Sequence, residues 1–297
     1  MIAHNILDTI GNTPLVRLGS FSRGDDVNIY AKLEGTNPSG SIKDRPALRM
    51  IEAAESDGRL IPGKTIVEAS SGNMGISLAL IGAVKGYKVK IFMSESVSVE
   101  RRKILAAYGA EVVLTPAAEG TDGAIRRARA LAAADPDGIF MPDQFSNKGN
   151  YMAHFITTAS EILQQTRGRV DYVVSAIGTS GTLMGLAKYL KEADPRIKIV
   201  CAQPVKGHYI QGLKNLEEAI VPAIYHPDWI DIQEMIETED AFEMARRVIR
   251  DEGIFVGMSS GAALLAAVRV AARIERGNIV VIFPDRGEKY ISTSLFG

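Results

Sequence analysis

The chain has 297 residues, 46% hydrophobic and 23% charged, with 34 Lys and Arg against 35 Asp and Glu and a formal net charge of −1. That composition supplies a buried core for about two domains, and the balanced charge argues against a nucleic-acid surface or a polybasic membrane patch. No apolar run approaches the ~20 residues of a membrane span, no charged segment followed by an apolar stretch opens the sequence, and the lone cysteine, Cys201, excludes an internal disulfide framework.

In chain order, IYAKL reads as a strand and is followed by NPSGSIKDR, which closes on Lys43. Pro38 and Gly40 break regular structure, and Ala47, Leu48, Met50, Ile51 and Ala54 then recur at helical spacing. An amine at a helix N-terminus meets partial positive charge from the exposed backbone N–H groups. A lysine so placed is a candidate Schiff-base amine, against the plainer reading of a solvated side chain. The strand TIVEA leads into SSGNMG, Ser70 to Gly75, and then into the apolar helix ISLALIGAVKG. Strand, polar turn and helix is a ligand-binding layout at the carboxyl end of a parallel strand. KVKIFM and EVVLT are further strands, DQF carries Gln144, and YMAHFITTASEI is a helix in which His154 reads as a packing residue.

The strand DYVVSAI then runs into GTSGT, Gly178 to Thr182, ahead of the helix LMGLAKYLKEA. Glycines let backbone approach closely, and threonine hydroxyls with helix N-terminal amides supply donors to an anion, so this turn reads as a phosphate cradle. Cys201 lies in the strand IKIVCA and reads as a buried thiol. Between Glu237 and Glu252 the charges fall on the polar face of an amphipathic helix, with Phe242, Met244, Ala245, Val248 and Ile249 toward the core. GMSSGAA opens another helix, and NIVVIF is a last strand. His4, His154, His208 and His226 show no metal-ligand spacing, so no metal is assigned. The alternation predicts an α/β fold of parallel sheets covered by helices.

Taken singly, each glycine turn is weak evidence. Together, NPSGSIKDR, SGN followed by GI, and GTSGT, between GNTPLVRL and the closing RGEKYISTSLF, resemble the cysteine synthases. These are pyridoxal-phosphate enzymes of β-replacement that share the tryptophan synthase β fold (fold type II). The resemblance covers nearly the whole chain. It implies two domains, each with a mostly parallel twisted sheet flanked by helices: residues 1–39 with 146–297 form the larger, and 40–145 the smaller, mobile one. Pyridoxal 5'-phosphate is expected in the cleft between them.

The resemblance further implies that Lys43 holds the cofactor as a Schiff base and moves the substrate α-proton, that Asn73 bonds the ring hydroxyl, and that Gly178, Thr179, Ser180, Gly181 and Thr182 bind the phosphate. Ser180 stands where the family often has glycine. Ser259 would face the pyridine nitrogen, a neutral partner that suits elimination over transamination; as local readings, Asn73 also fits a turn and Ser259 a helix N-cap. Ser70, Ser71, Gly72 and Asn73, with Gln144, would receive the amino acid's carboxylate. Met74 departs from the usual threonine and puts the substrate or leaving group in question.

The implied reaction is β-replacement of an activated L-serine by a sulfur nucleophile through an aminoacrylate, giving L-cysteine. O-acetyl-L-serine is the commoner donor. GLKNLEEAIVPAIYHPDW, however, resembles a branch that accepts O-phospho-L-serine, with Lys214 in place of an arginine, so Lys214 is either a phosphate contact or a solvated lysine. The sulfur source is open between sulfide, thiosulfate and a sulfur-carrier protein. A homodimer and a cytoplasmic location are expected, with no nucleic-acid or membrane partner. The alternatives are a serine/threonine dehydratase, a β-replacement enzyme using a nitrogen nucleophile as in diaminopropionate synthesis, and a regulatory protein that keeps the fold without turnover.

Overall fold

The computed structural model describes residues 2–70 and 72–297. In chain order it forms β1 (Leu15–Arg17), β2 (Val27–Leu33), α1 (Asp44–Ser56), β3 (Thr65–Ala69), α2 (Asn73–Lys85), β4 (Lys88–Ser94), α3 (Val99–Ala107), β5 (Glu111–Thr115), α4 (Gly120–Ala134) and β6 (Ile139–Phe140). Then come α5 (Gly149–Ala153), a π-helical turn at His154–Thr158, α6 (Ala159–Thr166), β7 (Tyr172–Ala176), α7 (Gly181–Ala193), β8 (Lys198–Pro204), β9 (Ile232–Ile236), α8 (Thr238–Glu252), α9 (Met258–Ala271) and β10 (Gly277–Phe283).

Two sheets result. One has six strands in the order β1-β2-β10-β7-β8-β9, and the other four in the order β5-β4-β3-β6. Apart from the antiparallel β1–β2 pair, every neighbouring pair is parallel. Each sheet is covered on both faces, which is why its central strands read as apolar runs rather than alternating ones. The two-residue period of a strand still decides which core each side chain joins. In the large sheet Val174, Val200, Ile279 and Val281 pack with α8 and α9, while Val173, Ile199, Val280 and Ile282 pack with α6 and α7. In the small sheet Ile66, Ile91 and Met93 face α1, α2 and α3, whereas Val67 and Phe92 face α4. No helix among the described residues is long and apolar enough to cross a membrane.

The strands missing from the sequence reading are β1, β6 and β9. β1 is mostly exposed, β6 is two residues long, and β9 alternates as an edge strand, with only Glu234 and Ile236 buried. The amphipathic helix between Glu237 and Glu252 is α8, burying Phe242, Met244, Ala245 and Val248. Cys201 is fully buried in β8, and burial pushes its thiol up to about 12.

A buried ionic cluster fixes the start of α1 to the large sheet. Arg45 donates to Glu34 Oε2 at 2.8 Å and to Glu161 Oε1 at 2.6 Å, and Lys32 Nζ reaches Glu161 Oε2 at 2.7 Å. Glu34 follows β2 and Glu161 lies in α6, so three elements meet on Arg45, two residues beyond Lys43. Removing one partner of such a cluster strands the other charge in a dry interior. Arg45→Ala should therefore cost roughly 3–5 kcal/mol in denaturant unfolding; a loss below ~1 kcal/mol, the range of exposed pairs, would show that Glu34 is not held by this contact.

Candidate active site

The cleft between the carboxyl ends of the two sheets is lined by Lys43, Ser70, Asn73, Met74, Gln144, Gly178, Thr179 and Lys214, together with Arg101, Thr121, Phe145 and Tyr209. Residues predicted from five separate segments thus converge on one site. Ser180, Gly181 and Thr182 continue the Gly178–Thr179 turn into α7, Gly72 precedes α2, and Ser259 lies buried in the first turn of α9. Ser71 lies outside the described residues.

Lys43 sits just ahead of α1, and its backbone is carried there by β10. Ile42 N–H donates to the Pro284 carbonyl at 2.8 Å, and Ser41 bridges to Asp285. Protein surrounds the ammonium, although part of the side chain still opens onto the cleft. Burial is the chief cause that brings its pKa from 10.5 to about 8, and the Asp285 carboxylate pulls in the opposite direction. Desolvation therefore does the work that the sequence reading gave to the helix terminus.

Asp285 is one of the residues that the sequence reading missed. It is fully buried just after β10, and its Oδ2 accepts from Asn73 Nδ2 at 2.7 Å and from Tyr290 Oη at 2.7 Å. The same oxygen lies 3.6 Å from the Arg101 guanidinium, which is stacked 4.8 Å from the Tyr290 ring centre. Lys289 Nζ donates to Asn73 Oδ1 and to the Gly40 carbonyl, both at 3.0 Å, and burial lowers its pKa to about 8 against the pull of Asp285. The available signal was positional: an acid just past the end of a parallel strand, where ligand sites form. Asn73 is thereby oriented at both ends of its amide.

The turn between β3 and α2 is equally fixed. Ser70 Oγ accepts the N–H groups of Gly72 at 3.0 Å and Gly75 at 3.1 Å, shaping the start of α2. Glu68, buried in β3 and pushed up to about 8 chiefly by burial, accepts from the N–H groups of Ala69 at 2.9 Å and Gln144 at 3.2 Å. Gln144 Nε2 returns a bond to the Ala69 carbonyl at 2.9 Å. Asn150 Nδ2 then links the Gln144 carbonyl at 2.7 Å to Thr179 Oγ1 at 3.0 Å, so one buried amide joins the Gln144 segment to the Gly178–Thr182 turn. Met74 is almost wholly buried in the small-sheet core while bordering the cleft.

Gly178 to Thr182 fits a phosphate on two observations. Ser180 Oγ is buried without a hydrogen-bond partner, and Ser180 adopts φ 65°, the left-handed region that favours glycine. A strained backbone and an unmet hydroxyl at the N-terminus of a 13-residue helix suit an anion acceptor. A Cβ at Gly178 would lie 2.5 Å from the Gly212 carbonyl, so only glycine lets this turn lie so close to the segment after β8. Behind it, His154 is kept neutral by burial and by the nearby Lys43 and Arg45 charges; its Nε2 lies 3.4 Å from Thr182 Oγ1. Lys214, open between two readings from sequence, is not a solvated side chain: it pairs with Asp122 at 3.0 Å and lies 4.8 Å from the Phe145 ring centre.

The sequence profile of the family described as pyridoxal-phosphate dependent enzyme matches residues 6–285. A cysteine synthase of Aquifex aeolicus is 46% identical over 98% of this chain and 91% of its own length. The crystal structure of a cysteine synthase (OASS) from Entamoeba histolytica aligns with a TM-score of 0.92 at 44% identity, covering 100% of this chain and 91% of that one. That of an O-ureido-L-serine synthase aligns at 0.94 and 40% identity, covering 100% and 96%. The chain belongs to the cysteine synthase family of pyridoxal-phosphate dependent enzymes.

Two predictions follow from the geometry. Asp285→Asn removes the carboxylate that raises the Lys43 pKa, so the midpoint for amine modification of Lys43, read by peptide mass spectrometry across pH, should fall below about 8; an unchanged or higher midpoint would contradict that pairing. Ser180→Gly should stabilise the cofactor-free protein by about 1 kcal/mol through relief of the left-handed strain, while weakening retention of pyridoxal phosphate in dialysis.

Proposed function

We propose that the protein makes L-cysteine by β-replacement on O-acetyl-L-serine, with Lys43 as its catalytic residue. The observation that carries this reading is the desolvated Lys43 amine, facing the Ser70–Asn73 turn on one side and the Gly178–Thr182 turn on the other across a single cleft. Pyridoxal phosphate, when bound, supplies the electron sink that lets the α-proton and the β-substituent leave. Gly178 to Thr182 would hold its phosphate, Asn73 would orient its ring, and Ser259 would meet the ring nitrogen with a neutral hydroxyl.

The chain's own groups supply the rest. Ser70, Gly72 and Asn73, at the start of α2, would offer donors to the substrate carboxylate, and Gln144 is held beside them by Glu68 and Ala69. Lys43, with a pKa near 8, takes the proton from the α-carbon and returns it after the sulfur nucleophile adds. Residues 40–145 form the smaller unit, whose closure over bound carboxylate excludes water from the reacting carbon. The active form is a cytoplasmic homodimer.

A second reading is supported by Met74 together with the likeness to an O-ureido-L-serine synthase: the same site would use a nucleophile other than sulfide. Titrating the yellow, cofactor-loaded protein with O-acetyl-L-serine should shift its visible band, and sulfide should discharge the shift to cysteine. Pyruvate release without added nucleophile would point instead to a dehydratase. Lys43→Ala should lower turnover by ~10³-fold or more, measured as cysteine formed; retained turnover would remove Lys43 from its assigned role.

A further inference from the structure

Three cationic side chains line the cleft, and each faces a carboxylate. Lys43 and Arg101 are opposed by Asp285, and Lys214 by Asp122. In the second of these arrangements Lys214 lines the cleft, as does Thr121, the neighbour of Asp122.

Asp122 sits in the first turn of α4, where the helix dipole favours an anion. Its Oδ1 takes the Lys214 ammonium at 3.0 Å, and its Oδ2 accepts the Ile220 N–H at 3.2 Å. One carboxylate thus grips both ends of the 214–220 stretch, part of the strap between β8 and β9. The same strap is tied below: Lys214 N–H donates to the Ile177 carbonyl at 3.0 Å, and Ala223 N–H to the Phe145 carbonyl at 2.9 Å. The Lys214 side chain is only 10% exposed, and the Phe145 ring lies under its ammonium. Its charge is therefore satisfied within the protein.

We propose that Asp122 sets leaving-group specificity, holding Lys214 so that the cleft admits an uncharged ester and disfavours a phosphate ester. A phosphate dianion entering the cleft would find the Lys214 charge already held by Asp122, would feel that carboxylate close behind it, and would have to take Lys214 from it. Specificity of this kind comes from a repulsive element as much as from an attractive one. The inference rests on the β-replacement reading above and names the residue that chooses among its substrates. Asp122→Asn keeps an oxygen for Ile220 N–H, so the strap stays in place while the repulsion is removed.

The test compares kcat/KM for O-phospho-L-serine and O-acetyl-L-serine, with sulfide, in the reconstituted wild-type enzyme, Asp122→Asn, and Asp122→Asn combined with Lys214→Gln. Competition by inorganic phosphate against O-acetyl-L-serine gives a readout independent of phosphoserine turnover. In Asp122→Asn the phosphoserine-to-acetylserine ratio should rise by about tenfold or more, the scale of one charge-assisted hydrogen bond, and phosphate should compete more strongly. Both gains should vanish in the double variant. An unchanged ratio in enzyme that still turns over O-acetyl-L-serine would overturn this inference alone, as would a wild-type preference for the phosphate ester or a gain that survives Lys214→Gln. Wild-type protein that holds cofactor and responds to neither ester would overturn the reaction reading and this inference with it.

Discussion

The buried carboxylate of Asp285 is the contact on which the site depends. It stands at the end of β10 in the large sheet, and it holds Asn73 at the start of α2 and faces Arg101 in α3, both packed on the small sheet. The carboxyl edges of two separately built sheets are thereby joined at one point. An isolated charge in such surroundings would cost several kcal/mol. Here it is offset by Arg101, Lys43 and Lys289, and by hydrogen bonds from Asn73 and Tyr290. The arrangement also limits Lys43, whose amine is lowered by burial but kept from falling further by this carboxylate.

The rest of the cleft is organised the same way, by polar groups whose partners leave them one orientation. Glu68 fixes Gln144, Gln144 bonds back to β3, and Asn150 ties that segment to Thr179. Such networks hold a site rigidly when every member is satisfied. Asn150 Oδ1 and Asp285 Oδ1 are left without a hydrogen-bond partner, and so is the buried hydroxyl of Ser180, which adds a left-handed backbone and lies where an anion is expected to bind. Local strain of this sort is compatible with a stable fold only because the surrounding elements over-determine it. Around Ser180 those elements are α7 and the segment that presses Gly212 against Gly178.

Most of the fold could be read in the sequence, because buried parallel strands and amphipathic helices write themselves as apolar runs and 3.6-residue periods. TIVEA, KVKIFM, DYVVSAI and NIVVIF all became central strands. β1, β6 and β9 could not be read, since an edge or two-residue strand carries too little burial to leave a pattern. Within the site, the glycine turns announced themselves, and Lys43, Ser70, Asn73, Gln144 and Thr179 line one cleft. Asp285, Arg101, Asp122 and Asn150 left no such mark. Their importance arises from partners 29 to 212 residues away in the chain, as in Asn150–Thr179 and Asn73–Asp285, and no local spacing encodes such pairings. Lys214 shows the same limit from the other side, since its pairing with Asp122 bridges 92 residues.

Which amine holds the cofactor can be asked directly. Three buried lysines, Lys32, Lys43 and Lys289, have lowered pKa values, but Lys32 is locked to Glu161 and Lys289 to Asn73 and Gly40, leaving Lys43 as the amine that opens onto the cleft. Borohydride reduction of the cofactor-loaded protein, followed by peptide mapping, should place the phosphopyridoxyl group on Lys43. A label on Lys289 or Lys214, with Lys43 unmodified, would contradict the assignment of the site.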